Sequence, residues 1–325
     1  MNNNPIADAL VMEKFFAEHL EFFKGAQRLQ SVKIFRHDPS LVISQTAVLV
    51  KYEIAVEMED GTIRTFTLRG SSDPSHNRRK SFYILQALRK AGFDQGPYLV
   101  QKPLGYFEEY HFLLYENFPG PSLMQDLQKG SLDCSEKIVK GIKWLAKFHA
   151  TDLPDLPRIY YDWRNEQEKF QKLKTDLIKK FNDPEGRISR VVDTLTESEK
   201  KLLQPENFVL VHGDFQPNNI LSADDQISVI DFNDAFFYDE LFDLIYFRVQ
   251  ALYMLKHLNR PSLEENIQNA VEDYLNLRKI ERDALVEKKI ALFTAKTLLR
   301  IKILTSHELG SEILKEIEAY VRKTV

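Results

Sequence analysis

The stretch Val211-His212-Gly213-Asp214-Phe215-Gln216-Pro217-Asn218-Asn219-Ile220-Leu221, followed by Val229-Ile230-Asp231-Phe232, decides how this chain is read. It supplies a carboxylate at Asp214, an amide at Asn219 and a second carboxylate at Asp231. Between the last two lie short aliphatic runs, Ile220-Leu221 and Ile227-Ser228-Val229-Ile230, separated by the small and acidic Ser222-Ala223-Asp224-Asp225-Gln226. That pattern predicts a tight antiparallel hairpin, which places Asn219 before its first strand beside Asp231 after its second. Magnesium prefers six hard oxygen ligands and takes only one or two carboxylates, with phosphates and waters supplying the rest. One Asp and one Asn therefore make a site that a polyphosphate completes, and the set points to phosphoryl transfer from ATP and Mg2+ to a small molecule.

Within the loop, Asp214 is placed to orient an acceptor hydroxyl and take its proton as the bond to phosphorus forms. His212 reads better as a fastener of loop backbone near Asp231 than as a second acid–base group. Gly213 allows the tight turn between them.

His-Gly-Asp, four residues, Asn, then Ile-Asp-Phe about a dozen residues on resembles the aminoglycoside phosphotransferase and choline kinase superfamily. Tyr238-Asp239-Glu240-Leu241-Phe242-Asp243-Leu244 is similar to that family's Gly-Asp-Pro-x-x-Asp-Leu segment, Leu113 to Leu123 to its hinge, and Leu145-Ala146-Lys147-Phe148-His149 to the helix after the hinge. The pieces stand in the family's order over roughly residues 40 to 250. The resemblance implies an α+β, two-lobed protein-kinase-like fold. A small antiparallel β-sheet N-lobe with an N-terminal helix would occupy 1–115 and a larger, mostly helical C-lobe 116–325. It further implies Asp214 as the base, Asn219 and Asp231 as metal ligands, and backbone groups of Glu116 and Phe118 as the adenine contacts. Asp243 would brace the catalytic loop by accepting backbone hydrogen bonds, and Asp234 would either face metal or substrate or cap a helix.

The chain departs from that family at three places. Arg69, in Thr65-Phe66-Thr67-Leu68-Arg69, stands where the phosphate-contacting lysine is usual, with Lys51 as the reserve candidate. Arginine keeps the charge and grips phosphate oxygens bidentately, but it is bulkier. Ser81 or Lys80 stands where a glutamate normally pairs with this cation, and the Ser44-Gln45-Thr46-Ala47 loop lacks glycine. The neighbouring Arg78, Arg79 and Lys80 read as a solvated helix face. These departures motivate the alternative of a catalytically weak, kinase-like nucleotide-binding module. A protein kinase is disfavoured, because Asp231-Phe232-Asn233 leads into a helix-like run with no recognisable activation segment.

Composition sets the outer bounds. With 325 residues, 43% of them hydrophobic, the chain can build two domains, and a net charge of -4 gives no reason to expect nucleic-acid binding. The single cysteine, Cys134, excludes an internal disulfide framework, and the eight histidines form no His-x-x-x-His pair. No basic leader or long apolar run appears, so a cytoplasmic enzyme without a membrane span is expected.

Periodicity predicts a helix over 6–24 with Leu10, Phe15, Leu20 and Phe23 inside, strands over 30–69 with a turn at Asp60-Gly61, and a helix capped by Asp73 and running through Phe82, Leu85 and Leu88 to Gly92. Two strands are expected near Tyr98–Leu104 and His111–Tyr115. Helical segments are expected at 135–150, 161–200, 235–258, 263–304 and 308–323. Phe232, Phe236, Phe237, Tyr238, Phe242, Tyr246 and Phe247 fit a helix core better than a cage for a quaternary amine. A C-terminus ending in Tyr320-Val321-Arg322-Lys323-Thr324-Val325 offers no carboxylates to a polycationic antibiotic. The acceptor itself and the oligomeric state are not written in these patterns.

Overall fold

The computed structural model describes residues 4–36, 47–75, 77–156, 164–181, 186–305 and 311–325. The chain forms two compact units. Met1–Gly120 together with Ser228–Asn233 makes the first, and Pro121–Ile227 together with Asp234–Val325 the second.

The first unit is built on an antiparallel sheet in the order β1-β2-β3-β6-β5, formed by Ala26–Arg36, Val48–Met58, Ile63–Ser72, Phe112–Glu116 and Pro103–Phe107 respectively. In β2, Val50, Tyr52, Ile54, Val56 and Met58 are buried while the residues between them are less so, the period-two signature of a sheet covered on one face. The cover is α1, Ala9–Glu18, whose Met12, Phe15 and Phe16 join that core. Asp8 caps α1 by accepting from the amides of Leu10 and Val11. Leu10 itself is 79% exposed, against expectation, because the stripe runs through 12, 15 and 16 and leaves position 10 outside it. The β2–β3 turn uses Asp60-Gly61 as expected, with Gly61 at φ 76° and Asp60 accepting from the Thr62 amide and hydroxyl.

Helix α2 spans Asn77–Leu88 and buries Arg78, Ser81, Ile84, Leu85 and Leu88 along one side. The Asp73 carboxylate accepts from the Ser75 amide, the kind of bond an N-cap makes, and residue 76 lies outside the described residues. A π-helical turn over Arg89–Phe93 contains Gly92 at φ 89° and leads to β4, Tyr98–Val100.

The second unit opens with α3, Leu123–Lys129. Ser122 and Gln125 form a reciprocal capping box, and Gly130 closes the helix in a left-handed conformation. α4 is Cys134–Ala150, and the segment expected as one helix over 161–200 contains α5, Arg164–Phe181, and α6, Arg187–Leu202. β7, Val209–Val211, carries the chain into the catalytic loop, and β8 (Ile220–Ala223) and β9 (Gln226–Val229) are joined through Asp224-Asp225 with Asp224 at φ 50°. Helices α7, α8, α9 and α10 cover Leu241–Leu258, Glu264–Arg278, Ala284–Thr305 and Ser311–Thr324.

One expected helix starts differently. Phe236–Tyr238 is a strand, β10, paired antiparallel with β7, and α7 begins only at Leu241. Phe236 and Tyr238 are buried, and Phe242 lies within aromatic distance of both, so the aromatic-rich stretch is core. No helix among the described residues is long and apolar enough to cross a membrane.

Gly70, in the middle of β3, is where the sheet tolerates no side chain: a Cβ there would stand 2.4 Å from the Phe112 ring and 2.8 Å from the Tyr52 ring. Gly70→Ala is expected to destabilise the protein by about 1–3 kcal/mol through overpacking. An unchanged denaturation midpoint would contradict the packing described.

Candidate active site

The loop from His212 to Asn219 is anchored by one buried carboxylate. Asp243, in the first turn of α7, is fully buried; its Oδ2 accepts from the His212 amide at 2.6 Å and its Oδ1 from the Gly213 amide at 3.0 Å. His149 of α4 adds a contact from Nε2 to Oδ2 at 3.1 Å. A buried carboxylate needs such donors, and three surround this one. Bracing of the loop by Asp243 is therefore observed directly. Behind His149, the Tyr274 hydroxyl lies 2.6 Å from Nδ1 and donates to Glu240 at 2.6 Å, where Arg278 Nε also donates at 2.6 Å. Burial pushes the Glu240 carboxyl up, but the donors Arg278 and Tyr274 outweigh it and hold the group below its ordinary value.

Gly213 sits at φ 81°, and a Cβ there would lie 2.1 Å from the Asp234 carbonyl oxygen. The backbone thus passes another strand of chain too closely for any side chain. His212 is fully buried, and its Nδ1 accepts from the Asp214 amide at 3.3 Å. It fastens loop backbone at the Asp214 amide.

The loop presents Asp214 inside a ring of donors. Gln216 Nε2 donates to both carboxylate oxygens at 3.0 and 2.9 Å, Asn219 Nδ2 to Oδ2 at 2.9 Å, and the Tyr246 hydroxyl to Oδ1 at 2.9 Å. Asn219 Nδ2 also donates to the Asp214 carbonyl at 2.9 Å. With its nitrogen committed twice, Asn219 turns Oδ1 away as an available acceptor. Burial, then the Asp214 charge, pushes the Tyr246 hydroxyl far above its ordinary range, so it stays a donor. Neither Gln216 nor Tyr246 stood out in the sequence as a site residue. Tyr246 was legible all the same: it lies three residues after Asp243, on the same helical face.

The remaining candidates lie in the first unit. Arg69 is opposite Tyr115 in the β3–β6 register and its Nε donates to Asn117 Oδ1 at 2.6 Å. Lys51, opposite Arg69 in the β2–β3 register, is paired with Glu53 at 2.8 Å. Glu116 is exposed at the end of β6, its amide bonded to the Lys102 carbonyl and its carboxylate to the Lys102 ammonium. Phe118 follows in the segment leaving the sheet, half-buried.

Asp231 stands at φ 68°, a left-handed conformation that Asp tolerates better than most residues. Its Oδ1 receives Arg78 at 3.2 Å and the Asn233 amide, while its Oδ2 has no partner among the described residues. Ser81 donates to Asn233 Oδ1 at 2.7 Å. Arg78 is thus buried and ion-paired, not solvated, whereas Arg79 beside it is half-exposed and pairs with Glu108. Hydrophobic periodicity could not have separated them, since a charged residue inside a fold is placed by its partner. Asp234 neither caps a helix nor joins this cluster; it pairs with Lys169 at 2.7 Å, both well exposed. Residues 44–46 of the expected phosphate loop lie outside the described residues. Cys134 is buried, and burial pushes its thiol up, away from nucleophile chemistry.

A sequence model of the phosphotransferase enzyme family matches residues 55–280. No curated protein matches the chain by sequence. Among solved structures, choline kinase from Cryptosporidium parvum is similar at TM-score 0.58 and 14% identity, with 97% of this chain and 95% of that one covered. A choline/ethanolamine kinase family protein from Mesorhizobium loti aligns at 0.57 and 13%, covering 96% and 93%. A thermostable aminoglycoside phosphotransferase mutant aligns at 0.58 and 14%, covering 95% and 98%. At these identities the likeness establishes the fold, which is α+β and kinase-like.

Two expectations test the anchor. Asp243→Asn would turn an amide donor toward the Gly213 or His212 N–H, and a loss of about 1–3 kcal/mol of stability is expected; a variant as stable as the parent would refute the bracing role. Because the folded Glu240 carboxyl titrates below its unfolded value, its stabilisation is present above the ordinary glutamate range and lost as pH falls through the depressed value. Glu240→Gln should therefore flatten the stability-versus-pH curve on its acid side, and superimposable curves would count against it.

Proposed function

The chain belongs to the phosphotransferase enzyme family, and we propose that it transfers the terminal phosphoryl group of ATP, as its magnesium complex, to a hydroxyl of a small molecule with Asp214 as the base. The observation that carries this reading is the donor ring on Asp214. Gln216, Asn219 and Tyr246 fix both oxygens of a half-buried carboxylate, and that orients a lone pair better than an exposed loop aspartate could. The acceptor hydroxyl gives its proton to Asp214 while its oxygen attacks phosphorus; an acceptor entering from the Gln216 side would replace that bidentate amide on the carboxylate.

Two groups fit a magnesium ion by the chemistry of their spare atoms. Asn219 keeps Oδ1 and Asp231 keeps Oδ2, both hard neutral or anionic oxygens, and the remaining ligands would come from phosphates and water. Bound there, the ion would draw charge from the transferring group. Arg69 supplies a cation for the phosphates, and its bond to Asn117 ties that cation to the segment between Glu116 and Phe118, whose backbone would meet the adenine edge. The lobe assignment 1–115 and 116–325 belongs to the same reading.

The acceptor is a small hydroxylated molecule. The solved relatives include an ethanolamine kinase from Plasmodium vivax and an aminoglycoside phosphotransferase bound to ADP and hygromycin B, which bracket the chemistry without choosing for this chain. A catalytically weak nucleotide-binding module is the second reading, favoured by Ser81 standing where the family has glutamate.

A screen of hydroxylated metabolites for ADP release identifies the acceptor. Asp214→Asn is expected to lose turnover by at least about a hundredfold, within the range of general-base contributions, while thermal stabilisation by ATP and magnesium persists. Asp231→Ala should lose the magnesium-dependent part of that stabilisation. Full turnover in Asp214→Asn removes the assigned base; ATP binding without any turnover on the screen supports the module.

A further inference from the structure

Arg78 is a buried cation in the first unit. It stands in the first turn of α2, one helical turn before Ser81, so the helix that brings a carboxylate in the resembling family here brings a cation. Only 9% of the residue is exposed, and its one ion pair is to Asp231 Oδ1. Its Nε is buried and has no hydrogen-bond partner among the described residues.

Arg69 and Arg78 both act on the buried Tyr115 hydroxyl, and so does Asp231 with the opposite sign, so two guanidiniums and one carboxylate lie around a single side chain. Arginine cannot shed its proton, so a buried guanidinium requires an anion at all times. In the protein without ligand that anion is Asp231.

Asp231 cannot serve two cations equally. A divalent ion on its carboxylate would stand close to the Arg78 charge, and the repulsion between them is relieved only if Arg78 finds another anion. The fork made by Nε and a terminal nitrogen matches two oxygens of one phosphate, and Nε is the atom left unused. We propose, resting on the nucleotide reading above, that Arg78 is a second phosphate-binding residue of this chain and that it latches Asp231 until a metal–nucleotide complex takes both partners. The nucleotide phosphates then receive Arg78 as the ion receives Asp231. Binding of metal and of polyphosphate is thereby coupled through one side chain.

The experiment is a calorimetric titration of the full chain with adenosine, with ATP in EDTA, and with magnesium alone, on the parent, Arg78→Gln and Asp231→Asn. Arg78→Gln is expected to weaken ATP in EDTA about tenfold, about 1.4 kcal/mol, to leave adenosine unchanged, and to tighten magnesium alone by freeing Asp231. Asp231→Asn should bind ATP in EDTA more tightly than the parent, since it releases the guanidinium. Equal ATP affinity in parent and Arg78→Gln, or no gain in Asp231→Asn, overturns the role of Arg78 while the kinase reading stands. If the parent binds neither ATP nor adenosine, both fall together. Should Arg78→Gln fail to fold, the gain or its absence in Asp231→Asn decides alone.

Discussion

The arrangement of the loop from His212 to Asn219 depends on a buried negative charge being satisfied by backbone. Asp243 accepts from two consecutive amides, those of His212 and Gly213, and from His149 on another helix. Removing a carboxylate from water is unfavourable unless donors replace the solvent, so the loop, α7 and α4 are held in one geometry. Asp214 inherits its position from that lock, because it is the next residue along and its own amide is held by His212. The closeness of Gly213 to the Asp234 carbonyl follows from the same constraint: a side chain at 213 would force apart backbone that the Asp243 bonds draw together.

Two carboxylates of the candidate site are managed in opposite ways. Asp214 in the second unit is surrounded by neutral donors that fix both of its oxygens. Asp231 in the first unit is neutralised by Arg78, with one oxygen left over. The absence of a glutamate on α2 fits this division, since a cation on that helix leaves no place for one beside Asp231, and Ser81 instead ties the helix to Asn233.

Where expectation and structure differ, the cause is a group whose partner is distant in sequence. Apolar periodicity found the strands of the first sheet and most helices, because burial of Val, Ile, Phe and Leu is a local rule of spacing. It missed the burial of Arg78, because a charged side chain goes inside only when another part of the chain supplies its counter-charge, here 153 residues away. It also took Phe236–Tyr238 for the start of a helix. The run is too short to show its period, and pairing with Val209–Val211 decided it.

The order of motifs and the bracing carboxylate were present in the sequence, since each depends on residue type and on spacing along the chain. Arg78 as the partner of Asp231, 153 residues away, came only from tertiary structure. Hydrogen bonds and ion pairs across such separations are set by how the elements pack, and no spacing rule along the chain encodes that.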